Sequence, residues 1–310
     1  MDLPPPALDT ATFTEHVVET GLGRRRYRLF VPGRTDGGDP LPLLVVLHGC
    51  TQDAADIARG TRFNQHAERQ GMLVLYPEQP IEANPQKCWN WFLPAHQGRD
   101  SGEPALVAYL TRRVMAEYPV DSGRIYLVGV SAGGAMAVLT AIAYPEIYTA
   151  LGVHSGIGYR AAENLASALT AMKGEGSPPG ELAREAHAAM GDRARAVPIM
   201  VVQGQLDPAV NAGNAQRISE QFVTLAVMAG SGPAPPETDG FTSGGREVTR
   251  TVWLTADGPA LVEQWIIEGL AHAWSGGSPD GTWTDPAGPD ASAEMIRFLL
   301  SHRLQGPSKR

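Results

Sequence analysis

The chain has 310 residues, 43% of them hydrophobic and 19% charged, with a formal net charge of −8 at pH 7. That length and composition fit a single globular α/β domain spanning 1–310 with an ample core, and the negative charge argues against nucleic acid or an anionic membrane as partner. No apolar run reaches the roughly 18 residues of a membrane span. Met1-Asp2-Leu3-Pro4-Pro5-Pro6 lacks the basic-then-apolar order of a signal peptide. The expected compartment is therefore secreted or periplasmic if a leader has been removed, with the cytoplasm as the alternative.

Arg24 to Pro32 reads as a strand, and its cluster Arg24-Arg25-Arg26 as a solvated edge rather than a docking patch. Leu43 to Leu47 is continuously apolar, as expected of a strand buried on both faces of a parallel sheet. It runs into His48-Gly49-Cys50, a position that supplies one backbone N–H of an oxyanion hole in α/β-hydrolases. Arg124 to Val128 is the next strand, followed by Gly129-Val130-Ser131-Ala132-Gly133 and a small-residue helix from Ala132 to Tyr144. A G-x-S-x-G pentapeptide between strand and helix presents its serine on a sharp turn above the sheet. Ser131 is the candidate nucleophile, and Ala132 supplies the second oxyanion amide beside Cys50.

Residues 156–196 carry two helical pieces around a Gly/Pro/Ser-rich centre and are the candidate for a small cap. Pro198 to Gly204 reads as another buried strand, with Asp207 just past its end, where ligands of open α/β sheets bind. Asp207 is the candidate acid, with Asp257, Asp280 and Asp285 as rivals. Residues 229–246 are rich in Gly, Pro, Ser and Thr and read as a long mobile loop. Leu261 to Ile267 is a last strand, His272 lies on the loop after it, and Ala287 to His302 forms a final helix. His272 is the candidate base, completing the order Ser, acid, His. His154 ends a strand and reads as a core or supporting residue; Ser275 is the decoy nucleophile. No His/Cys/Asp cluster has metal-ligand spacing and no phosphate loop occurs, so no cofactor is expected.

Five strings carry a family resemblance: Leu47-His48-Gly49-Cys50-Thr51-Gln52, Tyr76-Pro77-Glu78-Gln79, Cys88-Trp89-Asn90-Trp91-Phe92, Gly129 to Ala137, and His272-Ala273-Trp274-Ser275-Gly276-Gly277. Over roughly residues 12–304 the chain resembles the polyhydroxybutyrate (PHB) depolymerase-type esterases, whose relatives include feruloyl and acetyl-xylan esterases. The resemblance implies an α/β-hydrolase fold, a mostly parallel sheet with helices on both faces, and serine carboxylesterase activity on an ester, oligoester or polyester. Ser131, Asp207 and His272 fall on the family's triad positions, Cys50 and Ala132 on its oxyanion positions. The resemblance also puts Cys88 near the site, where a bridge to Cys50 is expected; two buried free thiols are the alternative. Trp89, Trp91, Trp274 and His48 are the candidate substrate contacts, with at least one tryptophan expected in the core and Trp274 expected to line the pocket. Many polymer-attacking members carry a linker and a separate polymer-binding domain; none is expected here, so crystalline polymer should be a poor substrate. Oligomeric state is not addressed by the sequence.

Overall fold

The computed structural model describes residues 10–33, 39–256 and 258–304. Its strands are β1 (Thr12–Thr20), β2 (Gly23–Val31), β3 (Leu41–Leu47), β4 (Leu73–Pro77), β5 (Val120–Val130), β6 (Ala150–His154), β7 (Ile199–Gly204), β8 (Glu237–Ser243), β9 (Arg246–Leu254), β10 (Ala260–Ile267), β11 (Trp274–Ser275) and β12 (Thr284–Asp285). Its helices are α1 (Ala54–Thr61), α2 (Phe63–Gln70), α3 (Gly102–Glu117), α4 (Ala132–Ala143), α5 (Leu165–Met172), α6 (Pro179–Met190), α7 (Gly213–Met228) and α8 (Ala291–Leu300).

Ten strands form one sheet in the order β1-β2-β4-β3-β5-β6-β7-β10-β9-β8. The six from β4 to β10 are mutually parallel, and each flank is closed by two antiparallel strands. The parallel strands are buried on both faces, so neighbouring residues feed different cores. Leu43, Val45, Leu47, Ile125, Leu127, Ile199 and Val201 join α3, α4, α6 and α7 on one face. Leu44, Val46, Tyr126, Val128, Met200 and Val202 join α1, α2 and α8 on the other. This period-two split is why those strands read as unbroken apolar runs.

After β3 the chain steps outward to β4; after β5 it steps the other way to β6 and β7. The reversal falls between β3 and β5, so the loops leaving their C-terminal ends diverge and open a crevice there. Residues 48–51 and Ser131 sit at that point.

One stretch differs from expectation. Residues 229–246 are not one long loop: β8 lies inside them and pairs with β9 from Glu237↔Val252 to Ser243↔Arg246. β8 is an edge strand with mostly exposed side chains, so it carries no apolar alternation to read. Within 156–196, α6 takes a place in the helical layer beside α4 and α7, while α5 exposes Leu165 and Leu169.

Candidate active site

Ser131 occupies φ 55° and ψ −123°, a backbone conformation that L-residues rarely adopt, which costs on the order of 1–3 kcal/mol. The surroundings impose it. The Ser131 N–H donates to His154 O at 2.9 Å, and Ser131 O accepts from the Ala135 N–H at 3.1 Å. Two glycines let the pieces close up. A Cβ on Gly129 would stand 2.2 Å from Gly133 O, and one on Gly133 would stand 2.3 Å from Leu47 O. Neither gap admits a side chain, so any larger residue would force β3, β5 and α4 apart.

The turn after β3 abuts this elbow: a Cβ on Gly49 would be 3.6 Å from Ser131 Cβ. Its amides are engaged with one exception. The Gly49 N–H donates to Gln52 Oε1 (2.9 Å), Thr51 to Gln86 O (2.7 Å) and Gln52 to Gly49 O (3.4 Å). Among the described residues nothing accepts from the Cys50 N–H. The Ala132 N–H is likewise free, being the first of α4 and so without an intrahelical acceptor. Cys50 and Cys88 are joined as a disulfide (Sγ–Sγ 2.00 Å), which ties this turn to the loop after β4.

Asp207 and His272 meet across the ends of β7 and β10. His272 Nδ1 lies 2.7 Å from Asp207 Oδ2. Gly204 permits the approach, since a Cβ there would be 2.4 Å from Leu270 O. The Leu206 N–H donates to Leu270 O at 3.0 Å and staples the two loops together. The carboxylate also accepts from the N–H groups of Ala209 (2.9 Å) and Val210 (2.8 Å) at Oδ1 and from Gln203 Nε2 (3.0 Å) at Oδ2. Burial alone would raise its pKa; the His272 hydrogen bond and the two amides outweigh that and hold it below the usual carboxylate range. An ionised Asp207 accepts, so Nδ1 of His272 carries the proton and Nε2 is left as the basic nitrogen. Neither Ser131 Oγ nor His272 Nε2 is hydrogen-bonded to a protein group among the described residues. Such contacts often tighten only when substrate binds.

The aromatic and histidine expectations need correction. Trp274 does not line a pocket: it is 2% exposed, donates from Nε1 to Ser292 Oγ at 3.1 Å and stacks on His154. Trp89 is fully buried and donates to His48 O at 3.1 Å, bracing the turn after β3. Trp91 is 6% exposed and packs edge-on against Phe92. His48 is fully buried; its Nδ1 donates to Gly49 O (2.7 Å) and its Nε2 accepts from the Gln79 N–H (3.0 Å), so no nitrogen is left for a substrate. Burial drops its pKa to about 4, and that of His154 to about 3, so both are neutral supports at pH 7. Ser275 is fully buried and donates to Pro289 O (2.9 Å), which removes it as a rival nucleophile. Of the rival acids, Asp285 pairs with Arg246 (2.5 Å), Asp280 caps a turn with Ser278 (3.1 Å), and Asp257 lies outside the described residues.

Trp283, which sequence reasoning missed, is the aromatic that stands beside the site. It is 54% exposed, lies edge-on to the His272 ring at 6.1 Å and donates from Nε1 to Thr51 Oγ1 at 3.1 Å. Its loop is pinned by Asp56 Oδ1, which accepts from the Thr282 N–H (3.0 Å), and by Gln52 Nε2, which donates to Thr282 O (3.1 Å). Its one sequence signal was position, 11 residues past His272 on the same connection. Among the described residues no group of three or more His, Cys, Asp or Glu side chains is set to hold a metal ion, and no helix is long and apolar enough to cross a membrane.

The fold is shared with solved esterases. Acetyl xylan esterase from Aspergillus awamori superposes with a TM-score of 0.72 at 18% identity, covering 93% of this chain and 99% of that one. An S-formylglutathione hydrolase from Agrobacterium tumefaciens gives 0.59 at 15% identity, over 96% and 97%. Among curated relatives, poly(3-hydroxyalkanoate) depolymerase C of Paucimonas lemoignei is 31% identical over 79% of this chain and 56% of its own length. Feruloyl esterase B of Neurospora crassa is 32% identical over 41% of this chain and 42% of its own. The chain thus spans about half the length of the curated relatives it matches. The profile described as Esterase PHB depolymerase matches residues 26–235, which take in the turn after β3, Ser131 and Asp207. With that match over two thirds of its length, the chain belongs to the PHB depolymerase esterase family.

Proposed function

We propose that the chain is a serine carboxylesterase that cleaves oligoester or polyester bonds of the poly(3-hydroxybutyrate) type through an acyl-enzyme. The observation that carries this reading is the strained Ser131 set beside two unengaged amides, Cys50 and Ala132. Ser131 Oγ attacks the ester carbonyl while His272 Nε2 takes its proton. Asp207 holds the imidazole in the required tautomer and stabilises the imidazolium. The two amides receive the oxyanion, each contributing about 3–4 kcal/mol to lowering the barrier. His272 returns the proton to the departing alcohol, then deprotonates the water that frees the acyl group. Trp283 replaces Trp274 as the aromatic surface offered to substrate.

The substrate class is supported by the depolymerase relative, which aligns over most of the chain. The second reading, a feruloyl or acetyl-xylan esterase, draws on shorter alignments and on the exposed ring of Trp283. A catalytically silent binding protein is disfavoured by the Asp207–His272 hydrogen bond, which a binder has no need to keep. The disulfide supports an oxidising compartment. The deciding experiment compares kcat/KM for soluble 3-hydroxybutyrate oligomers and for methyl ferulate. Faster turnover of the oligomers is expected; ferulate turned over with the oligomers untouched overturns the polyester reading. No turnover of p-nitrophenyl butyrate overturns the esterase itself.

A further inference from the structure

A cavity of about 500 Å³ lies away from Ser131, under the turn between β1 and β2 and the loop that follows β4. Its lining includes the three consecutive arginines of β2, with Leu22, Pro80 and Glu82. Alternation along β2 sends Arg25 inward, on the same face as Tyr27, and Arg24 and Arg26 outward. Arg25 is 8% exposed, yet it forms no ion pair among the described residues. Among the described residues its one hydrogen bond runs from Nη1 to the carbonyl of Arg24 at 3.1 Å, and its buried Nε has no partner.

The acids nearby do not discharge it. Glu78 is engaged by Arg26 (3.5 Å) and accepts from the Ala54 N–H (3.4 Å). Glu103 accepts from Gln79 Nε2 (2.5 Å), the Asn90 N–H (2.7 Å) and Asn90 Nδ2 (2.7 Å). Glu82 is solvent-exposed at the cavity's lip. Burial lowers the Arg25 pKa from its ordinary value despite the pull of Glu103 and Glu82, the mark of an under-compensated charge. A buried guanidinium without a carboxylate is costly, and the cost falls when an anion enters.

We infer that this cavity is a second ligand site, in which the guanidinium of Arg25 binds a small aliphatic carboxylate. The Arg25 guanidinium lines the cavity with Nη2 uncommitted among the described residues, and a carboxylate accepts from such a planar donor group in parallel hydrogen bonds. Leu22, Pro80 and Ala83 give the aliphatic part apolar contact. On the proposed function, ester hydrolysis generates this class of molecule as its acid product. The site lies at the same C-terminal edge of the parallel strands as the nucleophile. The β2–β4 pairing sets Tyr27 against Pro77, and Leu47 of β3 lies level with Gly129 of β5. Three inter-strand steps of about 4.8 Å separate β2 from β5, roughly 14 Å along the sheet. Gln79 links the two regions: its side chain holds Glu103 and its N–H holds His48, the residue that begins the oxyanion turn.

The test is equilibrium calorimetry of the whole chain with butyrate, with butyramide as its neutral isostere and with inorganic phosphate. Because no turnover is read, the outcome is separate from that of the ester assays. Saturable one-site binding of butyrate is expected, with butyramide and phosphate each weaker by about tenfold or more. Arg25→Gln should weaken butyrate by at least about tenfold, and Glu82→Gln, an exposed change that leaves the fold alone, should tighten it. Ser131→Ala and His272→Ala should leave it unchanged, which separates this cavity from the catalytic residues. Butyramide binding as well as butyrate, phosphate binding more tightly than butyrate, or Glu82→Gln and Arg25→Gln both binding like the parent would each overturn the proposal.

Discussion

Asp207 is the residue at which a single atom change has the widest consequence. Its carboxylate receives four donors: His272, Gln203 and the amides of Ala209 and Val210. An asparagine has one oxygen. If that oxygen stays on the two amides, the new NH2 faces His272 and forces Nδ1 to become the acceptor, moving the proton to the nitrogen that should be the base. Asp207→Asn should therefore lose most activity and keep a measurable remainder, about 10- to 100-fold above that of Ser131→Ala. Ser131→Ala and His272→Ala should each cost about 10⁴-fold or more in kcat with the thermal midpoint unmoved. Activity of Ser131→Ala within tenfold of the parent ends the nucleophile assignment. The two tryptophans divide in the opposite manner. Trp274→Ala empties a core position and should destabilise by about 3–5 kcal/mol in urea unfolding. Trp283→Ala removes an exposed ring, so the midpoint should stay put while KM rises for long or aromatic esters and p-nitrophenyl acetate is spared. Equal losses on both substrates would mean that Trp283 only steadies His272 and Thr51.

At the scale of elements, the site is a meeting of four connections: those after β3, β5, β7 and β10. The disulfide fastens the first of these to the loop after β4 and closes a segment of about 39 residues, worth about 3–4 kcal/mol in the chain-entropy picture. The Cys50→Ala/Cys88→Ala double variant should lose about that much in urea unfolding and also turn over more slowly, because the Cys50 amide is no longer fixed. A stability loss with kcat intact would make the bridge a fastener of the fold alone. The central strands were legible because burial on both faces leaves an unbroken apolar run, Asp207 because it closely follows such a run, and His272 because it lies on the loop after the last strand. β8 was not, since an exposed edge strand has no face that must be apolar. Nor were the burial of Trp274 and the exposure of Trp283. Both lie near His272 in the chain, and proximity along a loop says nothing of side-chain direction. In the fold, Trp274 pairs with Thr284 and turns its indole inward to His154 and Phe63, while Trp283, the residue just before β12, is left outside.

For the molecule as a whole, three buried histidines set how stability responds to acid. Desolvation holds His48 at about 4, His154 at about 3 and His302 at about 4, against 6.5 for a free imidazole. The folded chain keeps all three neutral at pH 5, whereas the unfolded chain protonates them. Unfolding at pH 5 should thus take up about three protons from these groups, and stability should rise with pH between about 4 and 6.5 and level off above. Asp207, held low by its hydrogen bonds, adds a loss of the same sign at still lower pH. The formal charge of −8 works the other way, since acidification relieves repulsion among surface carboxylates. Those charges are screened over about 8 Å at physiological salt, whereas each buried imidazole contributes about 1.4 kcal/mol per pH unit, so the histidines dominate. The measurement is urea unfolding at pH 5 and 7.5 for the parent and for His302→Gln, which lies on the chain segment that follows α8. The parent should be less stable at pH 5, and the variant should show a slope smaller by about one proton. A parent stability that is flat between the two values would mean that these imidazoles titrate as freely in the folded chain as in the unfolded one, and the account of His48 as a neutral support of the oxyanion turn would fall with it.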